Sequence, residues 1–143
     1  MPFSSRTEYG LVALLDLASA YTSGQRLQTK AICLRHGMPE RYLEQMLTAL
    51  RKAGFLASAR GPRGGYQLLR PPEQITVADV EHCLESEVPP AGQSEARNSE
   101  FRVLADLATR ADLARLEVLR KTTLAMLVVE RDSLAQPTPM FYI

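Results

Sequence analysis

Residues 42–66 read YLEQMLTALRKAGFLASARGPRGGY and carry the signals of a helix, a stop and a β-hairpin, in that order. Apolar residues recur at helical spacing in the first half, which predicts a helix over 39–53. Gly54 ends this helix, and short strand candidates at 55–60 and 66–69 then flank a glycine-rich tip that carries two arginines. A helix followed at once by a basic hairpin is typical of a winged helix-turn-helix, whose helix enters the DNA major groove.

Two further helices are predicted ahead of this stretch. The crowded apolar run LVALLDLA predicts a first helix over 5–21, and Ser5 followed by Glu8 matches a capping box at its start. A shorter helix is predicted over 29–36, because Gly37 is the usual kind of residue just past a helix end. Only a few residues then separate it from the next helix, as a helix-turn-helix requires.

The chain after the hairpin is predicted to be mainly helical. Thr76, with Asp79 three residues on, predicts the start of a fourth helix. A long helix follows over 100–121, and Thr123 is expected to cap a last short helix that runs through residue 131. The expected fold class is therefore mainly α with a small β-wing and a long C-terminal helix.

The composition limits the kind of protein. With 143 residues, of which 45% are hydrophobic, the chain is long enough for one domain with a buried core and an appended element. No apolar run approaches the roughly 20 residues that span a membrane, and the N-terminus lacks the pattern of a signal peptide. Cys33 and Cys83 are too few and too far apart for a disulfide framework or a zinc ribbon. We therefore expect a cytoplasmic protein with no membrane association.

The net charge of +1 hides an uneven distribution. Residues 1–72 carry ten Lys and Arg against four Asp and Glu, whereas residues 73–143 carry seven against twelve. A basic N-terminal half favours a polyanionic partner, because phosphates that are neutralised release their counterions. Ordinary solvated surface charge is the alternative interpretation of the same asymmetry.

Catalytic motifs are missing from the sequence. His36 and His82 have no convincing nucleophile beside them, and neither HExxH nor GxSxG is present. The glycine-rich tip lacks the GxxxxGK[ST] spacing and precedes a strand, whereas a phosphate-binding P-loop opens a helix. The sequence therefore predicts that the protein is not an enzyme.

Particular residues of the helices and the hairpin carry a family resemblance. They are Tyr9, Leu15-Asp16, Tyr42-Leu43-Glu44-Gln45, Leu50-Arg51-Lys52-Ala53-Gly54, Arg60-Gly61-Pro62, Gly64-Gly65-Tyr66, Ile75-Thr76-Val77 and Asp79-Val80. With these residues the chain resembles the IscR-like winged-helix regulators of the Rrf family, closely over 1–88 and loosely beyond. The resemblance implies a homodimeric transcriptional regulator, a repressor by analogy, that binds a partly palindromic operator in double-stranded DNA.

The resemblance also assigns parts of the chain to functions. Residues 1–88 would form the DNA-binding domain, 89–99 a loop, and 100–135 a dimerisation helix with a short C-terminal helix. The dimer interface is expected at apolar positions of the long helix, and packing within one subunit is the alternative. These positions are Phe101, Leu104, Ala108, Leu116 and Leu119.

The family's base-reading positions map onto Arg41, Glu44 and Arg60. Arginine pairs with guanine O6 and N7, and glutamate accepts a hydrogen bond from cytosine N4, in the major groove. Arg60, at the wing, is expected to enter a narrow minor groove, where the negative potential is strongest.

Phosphate contacts that set the register are expected at other polar or flexible positions. These are Thr29, Tyr42, Arg51, Lys52 and Arg63, together with Gly64, where the backbone can approach DNA closely. For Arg51 and Lys52 the alternative is a solvated helix end, where positive charge offsets the helix dipole.

The signal that the regulator would sense is left open by the sequence. Many relatives hold an iron–sulfur cluster with three cysteines in the loop before the long helix, and here residues 89–99 contain none. No cofactor is therefore predicted, and Cys33 and Cys83 are expected to be structural thiols. An unorthodox cluster remains an alternative, because Glu8 and His36 fall at positions that a minority of family clusters use. A winged-helix module that binds only protein is the other alternative.

Overall fold

The computed structural model describes residues 3–85 and 98–135. Within these residues the chain forms six α-helices, one short 3-10 turn and a two-stranded antiparallel sheet, which confirms the expected fold class. The elements in chain order are α1 (Ser5–Ser19), α2 (Thr29–His36), α3 (Glu40–Lys52), β1 (Leu56–Ala59), β2 (Gly65–Leu68), the 3-10 turn (Pro72–Gln74), α4 (Val77–Glu85), α5 (Ser99–Lys121) and α6 (Leu124–Ala135). The loop predicted over 89–99 lies outside the described residues as far as residue 97.

The predicted apolar stripe of α3 forms the centre of the core. Leu43, Met46, Leu47 and Leu50 have no exposed surface and pack with the inner faces of α1, α4 and the sheet. Burying a side chain of this size stabilises the fold by about 2 kcal/mol. The stripe therefore fixes which face of α3 points away from the core.

The cap at the start of α1 differs from the sequence prediction, and α1 ends at Ser19 rather than at residue 21. Ser4, rather than Ser5, is the N-cap of α1, because its side chain accepts a hydrogen bond from the Thr7 amide at 3.2 Å. The predicted box of Ser5 and Glu8 was wrong by one residue, and Glu8 is exposed on the first turn. Two adjacent serines are equally good caps, so local sequence does not choose between them.

Three other end signals are confirmed. Gly37 adopts the left-handed conformation at φ +69 and ends α2. At the start of α4 the Thr76 hydroxyl accepts from the Asp79 amide at 3.1 Å, and the Asp79 carboxylate accepts from the Thr76 amide at 3.3 Å. Thr123 accepts from the Met126 amide at 3.1 Å and caps α6, which runs four residues beyond the predicted end at 131.

Strand β2 of the wing forms backbone hydrogen bonds along both of its edges. On one side the pairing runs from Leu56 opposite Leu68 to Ala59 opposite Gly65. On the other side Leu27 exchanges two backbone hydrogen bonds with Tyr66, of 2.8 and 2.9 Å. The chain between α1 and α2 thus anchors the wing beside the helix-turn-helix.

Helix α5 stands apart from this packing. It is 23 residues long, roughly 34 Å, and buries only Leu119. Arg115 attaches it to α4 through two hydrogen bonds to Glu81, of 2.7 and 2.5 Å. No helix in the described parts of the chain is both long and apolar enough to cross a membrane.

Candidate nucleic-acid interface

The face of α3 opposite the buried stripe is polar and open. A shallow groove of about 730 Å³ runs along it, lined by Glu40, Arg41, Glu44, Gln45 and Thr48. Arg41 and Gln45 are exposed, and within the described residues neither has a hydrogen-bond or ion-pair partner. This face can therefore offer an arginine and an amide to an incoming ligand without first breaking a contact.

Glu44 differs from its neighbours because its carboxylate is already engaged. Thr29 donates from Oγ1 to Glu44 Oε2 at 2.6 Å, and Tyr66 donates from Oη to Glu44 Oε1 at 2.8 Å. Thr29 and Tyr66 are buried, at 8% and 7% exposure. The three residues, named here the Glu44 clamp, join α2, α3 and the wing through one carboxylate.

The clamp changes one of the expected roles. The Thr29 hydroxyl donates its hydrogen to Glu44, so this hydrogen is not available to a phosphate oxygen. Burial, followed by the hydrogen bond to Glu44, raises the pKa of Tyr66, which keeps its hydroxyl a donor at neutral pH. Tyr66 was not among the expected site residues, because its role depends on contacts between distant parts of the chain.

At the tip of the wing two arginines are exposed. Arg60 and Arg63 flank Gly61, which adopts φ +99, and neither has a partner among the described residues. Gly64 is buried and donates its amide to the Gly61 carbonyl at 2.9 Å, so this N–H is not available to a phosphate. A Cβ at Gly64 would lie 2.3 Å from the Ala59 carbonyl oxygen, which shows that the tip needs glycine to close.

The remaining expected phosphate contacts lie on α3. Arg51 and Lys52 are exposed on its last turn, where the structure is compatible with both interpretations of these residues. Tyr42 is half-buried, and its ring packs edge-on against Tyr9 with the centroids 5.6 Å apart. This contact supports α3 against α1.

A buried carboxylate that sequence reasoning missed supports the same motif. Asp16 has a side chain only 4% exposed and lies 2.8 Å from Nε2 of His36, 3.3 Å from Arg35 and 4.0 Å from Arg131. These contacts join α1, α2 and α6. The signal was an aspartate inside the apolar run LVALLDLA, because a buried charge requires partners.

The exposed face of α5 differs from the predicted interface. Leu119 is buried within its own subunit, which corrects that position, and Leu116 is half-buried. Phe101, Leu104 and Ala108 are exposed. The exposed face carries apolar residues at alternating spacings of three and four positions, including Leu104 from the predicted interface, and this set is named here the α5 seam. Its members are Leu104, Leu107, Ala111, Ala114 and Val118. This heptad spacing, typical of a coiled-coil seam, was readable in the sequence.

A winged helix-turn-helix with a basic wing, an open polar face on α3 and a long, exposed C-terminal helix defines the class of winged-helix transcriptional regulators. A family model described as Rrf2, iron-dependent transcriptional regulator, matches residues 3–130, and the chain belongs to this family. The protein is thus a DNA-binding regulator and not an enzyme, as predicted.

Individual relatives that match all or most of this chain support the assignment to the family. The chain is 36% identical over 143 residues to the HTH-type transcriptional regulator CymR of Bacillus subtilis, and the match covers all of both chains. Among solved structures, T. potens IscR has 30% identity and a TM-score of 0.80, with 96% of this chain and 93% of that chain covered. The structure of B. subtilis CymR, described as the global cysteine regulator, has 33% identity and a TM-score of 0.78, with 91% and 98% covered.

The family description raises the question of an iron site. All cysteines and histidines of the chain lie among the described residues, where no three His, Cys, Asp or Glu side chains are grouped to hold a metal ion. Burial, and then the charges of Glu40 and Glu44, raise the pKa of the Cys33 thiol, which disfavours the thiolate that a metal requires. His36 is engaged by Asp16 at 2.8 Å. The donor groups of the described residues therefore do not fit an iron or iron–sulfur centre.

Proposed function

We propose that this protein is a homodimeric repressor that binds a two-fold symmetric operator, with α3 in the major groove and the wing at the minor groove. The observation that carries the proposal is the division of α3 into two faces. Four side chains are fully buried on one face, and the opposite face carries a polar groove that the core does not use.

Base readout is assigned to the exposed part of that groove. Arg41 has the chemistry for guanine O6 and N7, and Gln45 has the chemistry for adenine N6 and N7. Glu44 keeps the role of accepting from cytosine N4 with its remaining lone pairs, and the clamp holds its carboxylate in one place. A carboxylate fixed in this way loses little side-chain entropy when it meets a base.

Backbone and minor-groove contacts are assigned to the wing and the end of α3. Arg60 is proposed to enter the minor groove, and Arg63, Arg51 and Lys52 to pair with phosphates. All four side chains are exposed and carry the positive charge that releases counterions on binding. Gly64 contributes by closing the wing tip.

Dimerisation is assigned to the α5 seam. Large apolar side chains on it are strongly exposed, with Leu104 at 62%, Leu107 at 51% and Val118 at 63%. An exposed apolar stripe of this length marks an interaction surface. Ala111 and Ala114 lie at its middle, where small side chains let two helices cross closely, and Phe101 and Ala108 extend the surface at its edge. A two-fold dimer would present two α3 helices to half-sites about 34 Å apart.

The proposal is tested by selecting bound duplexes from a randomised pool and measuring their affinity by fluorescence anisotropy between about 50 and 200 mM salt. We expect an enriched motif with two-fold symmetry and a steep fall in affinity with salt. Arg41→Ala should relax the preference at one base of each half-site, whereas Arg102→Ala, an exposed arginine on α5, should change little.

Two results would overturn this proposal. Either no sequence is enriched, or Arg41→Ala and Arg60→Ala leave operator affinity unchanged. Repression is tested separately, by transcription from a promoter that carries the selected operator. Activation in that assay would reverse the proposed sign without affecting DNA recognition.

A further inference from the structure

A second concave site lies away from the polar groove of α3. It is a cleft of about 800 Å³ between the end of α3, the base of the wing, α4 and the last turns of α5. Its size falls within the range of about 300–1,000 Å³ that is typical of small-molecule sites. The cleft thus touches the DNA-reading helix, the wing and the dimerisation helix at once.

The rim of the cleft is rich in positive charge. Lys52, Arg70 and Arg120 line it together with His82, and Asp79 is the one acidic side chain among the described lining residues. No described carboxylate forms an ion pair with Lys52, Arg70 or Arg120. Three cations that line one cleft without counter-charges from the described residues favour an anionic occupant.

The single acidic group does not neutralise this charge. The Asp79 carboxylate accepts a hydrogen bond from the Thr76 amide at 3.3 Å and belongs to the cap of α4. It is therefore already used at the helix start.

The inner wall of the cleft is apolar and holds one of the cations in place. The Arg70 guanidinium lies 4.4 Å from the centroid of the Phe55 ring, and Phe55 is buried. Ala49 and Leu116 complete the apolar part. A cation–π contact restrains Arg70 before any ligand arrives, which lowers the entropy cost of binding.

The thiol in the cleft does not provide covalent chemistry. Cys83 donates its Sγ hydrogen to the Ala49 carbonyl at 3.8 Å, and burial raises the pKa of the thiol. A protonated thiol is a poor nucleophile, so Cys83 does not offer the cleft an activated thiolate.

We propose that the cleft binds a small organic anion, with at least two acidic groups on a short carbon chain, as an effector. One acidic group pairs with Arg70 and the other with Arg120, while the carbon chain covers Phe55 and Leu116. Because the cleft is lined by the end of α3, the base of the wing and α5, an occupant ties the reading helix to the dimerisation helix. The effector role rests on the proposed DNA-binding function, but the binding site itself does not.

Binding is tested first without DNA. Isothermal titration of the full chain with citrate and with phosphoglycolate should show saturable binding with a Kd below about 1 mM and one site per chain. Acetate at equal ionic strength is the control for a single charge. Arg120→Gln should weaken binding at least tenfold, whereas Lys121→Gln, which removes an exposed charge outside the cleft lining, should not.

Two outcomes would overturn the site. In the first, neither probe binds with saturation. In the second, Arg120→Gln and Lys121→Gln lose the same affinity for the probe.

The effector role is tested next by operator affinity with and without saturating citrate. We expect at least a threefold change, and an equal change in citrate affinity when operator is present, because coupling between two sites is reciprocal. Citrate binding with unchanged operator affinity would refute the effector role alone. Citrate binding by a protein that selects no DNA sequence would refute the proposed function and leave the site intact.

Discussion

Helices α3 and α5 both carry an apolar stripe, and they bury it in opposite ways. The 13-residue α3 places Leu43, Met46, Leu47 and Leu50 at the centre of its own domain with no exposed surface. The 23-residue α5 buries only Leu119 in its own chain and leaves the α5 seam in solvent. One helix is therefore positioned by its own subunit, and the other leaves its apolar stripe exposed for the second chain that the proposed function requires.

This difference separates two properties of the protein. The recognition surface depends on contacts within one chain, the α3 stripe and the Glu44 clamp. In the proposed dimer, the pairing of two recognition surfaces depends on the α5 seam. Substitutions on the exposed face of α3 should consequently leave dimerisation unchanged, and substitutions in the α5 seam should leave the recognition surface of each chain unchanged.

The largest effect is expected from a charge in the α5 seam. Leu104→Glu should convert the dimer to a monomer in analytical ultracentrifugation, because two carboxylates would be buried without partners. Operator affinity should fall about 100-fold or more, since the second half-site is no longer bound within the same complex.

The matched control lies on the opposite side of the same helix. Thr109→Glu introduces the same charge at an exposed position outside the seam and should remain dimeric. Monomers from both variants, or from neither, would show that the seam is misplaced.

A smaller effect on DNA is expected at the recognition face. Arg41→Ala should cost about 1–3 kcal/mol of affinity for the selected operator, the range for a bidentate contact to a base. The melting temperature and the dimer should stay unchanged, because the side chain is exposed and has no described partner. A loss that is equal on operator and on random DNA would instead indicate a phosphate contact.

The Glu44 clamp should contribute to the thermal stability of the free protein, in the absence of DNA. Glu44→Ala removes the acceptor of two hydrogen bonds, those donated by the Thr29 and Tyr66 hydroxyls to a charged carboxylate, and should cost about 2 kcal/mol. Thermal unfolding of the free protein measures this loss. Gln45→Ala, at the next exposed position, should unfold like the parent, and equal stability of both variants would contradict the clamp.

The smallest effect concerns the contact between α1 and α4. Hydrogen bonds from Ser4, and then from Thr7, hold the pKa of Glu85 below its ordinary value of 4.5. Glu85 thus stabilises the folded state above about pH 4.5 and loses this contribution as the pH falls through its lower folded pKa. In Glu85→Gln, the decline of melting temperature below pH 4.5 should be shallower. Glu117→Gln, an exposed carboxylate on α5, serves as the control.

Local patterns were sufficient for most of the fold. The α3 stripe, Gly37 and the pair of Thr76 with Asp79 act within a few residues, so their spacing alone predicted the elements that they form. The Glu44 clamp was not predictable in this way, because it joins residues 29, 44 and 66 from three elements. For the same reason the sequence did not show that the Thr29 hydroxyl, expected to contact a phosphate, donates to Glu44 instead.

The interface on α5 shows a second limit. Leu104 and Leu119 both look like interface residues in the sequence, but the docking of α5 on α4 through Arg115 and Glu81 turns Leu119 inward. Which side of an amphipathic helix faces its own subunit is a tertiary property. The heptad spacing of the α5 seam was the available signal for the side that remains exposed.

The central claim is that two chains joined along α5 place two α3 helices on one operator. Sedimentation velocity of the protein with the selected duplex measures the number of chains per DNA molecule directly. We predict two chains per duplex for the parent protein, and at most one weakly bound chain for Leu104→Glu. A single chain bound to the duplex with the full affinity of the parent would contradict the account.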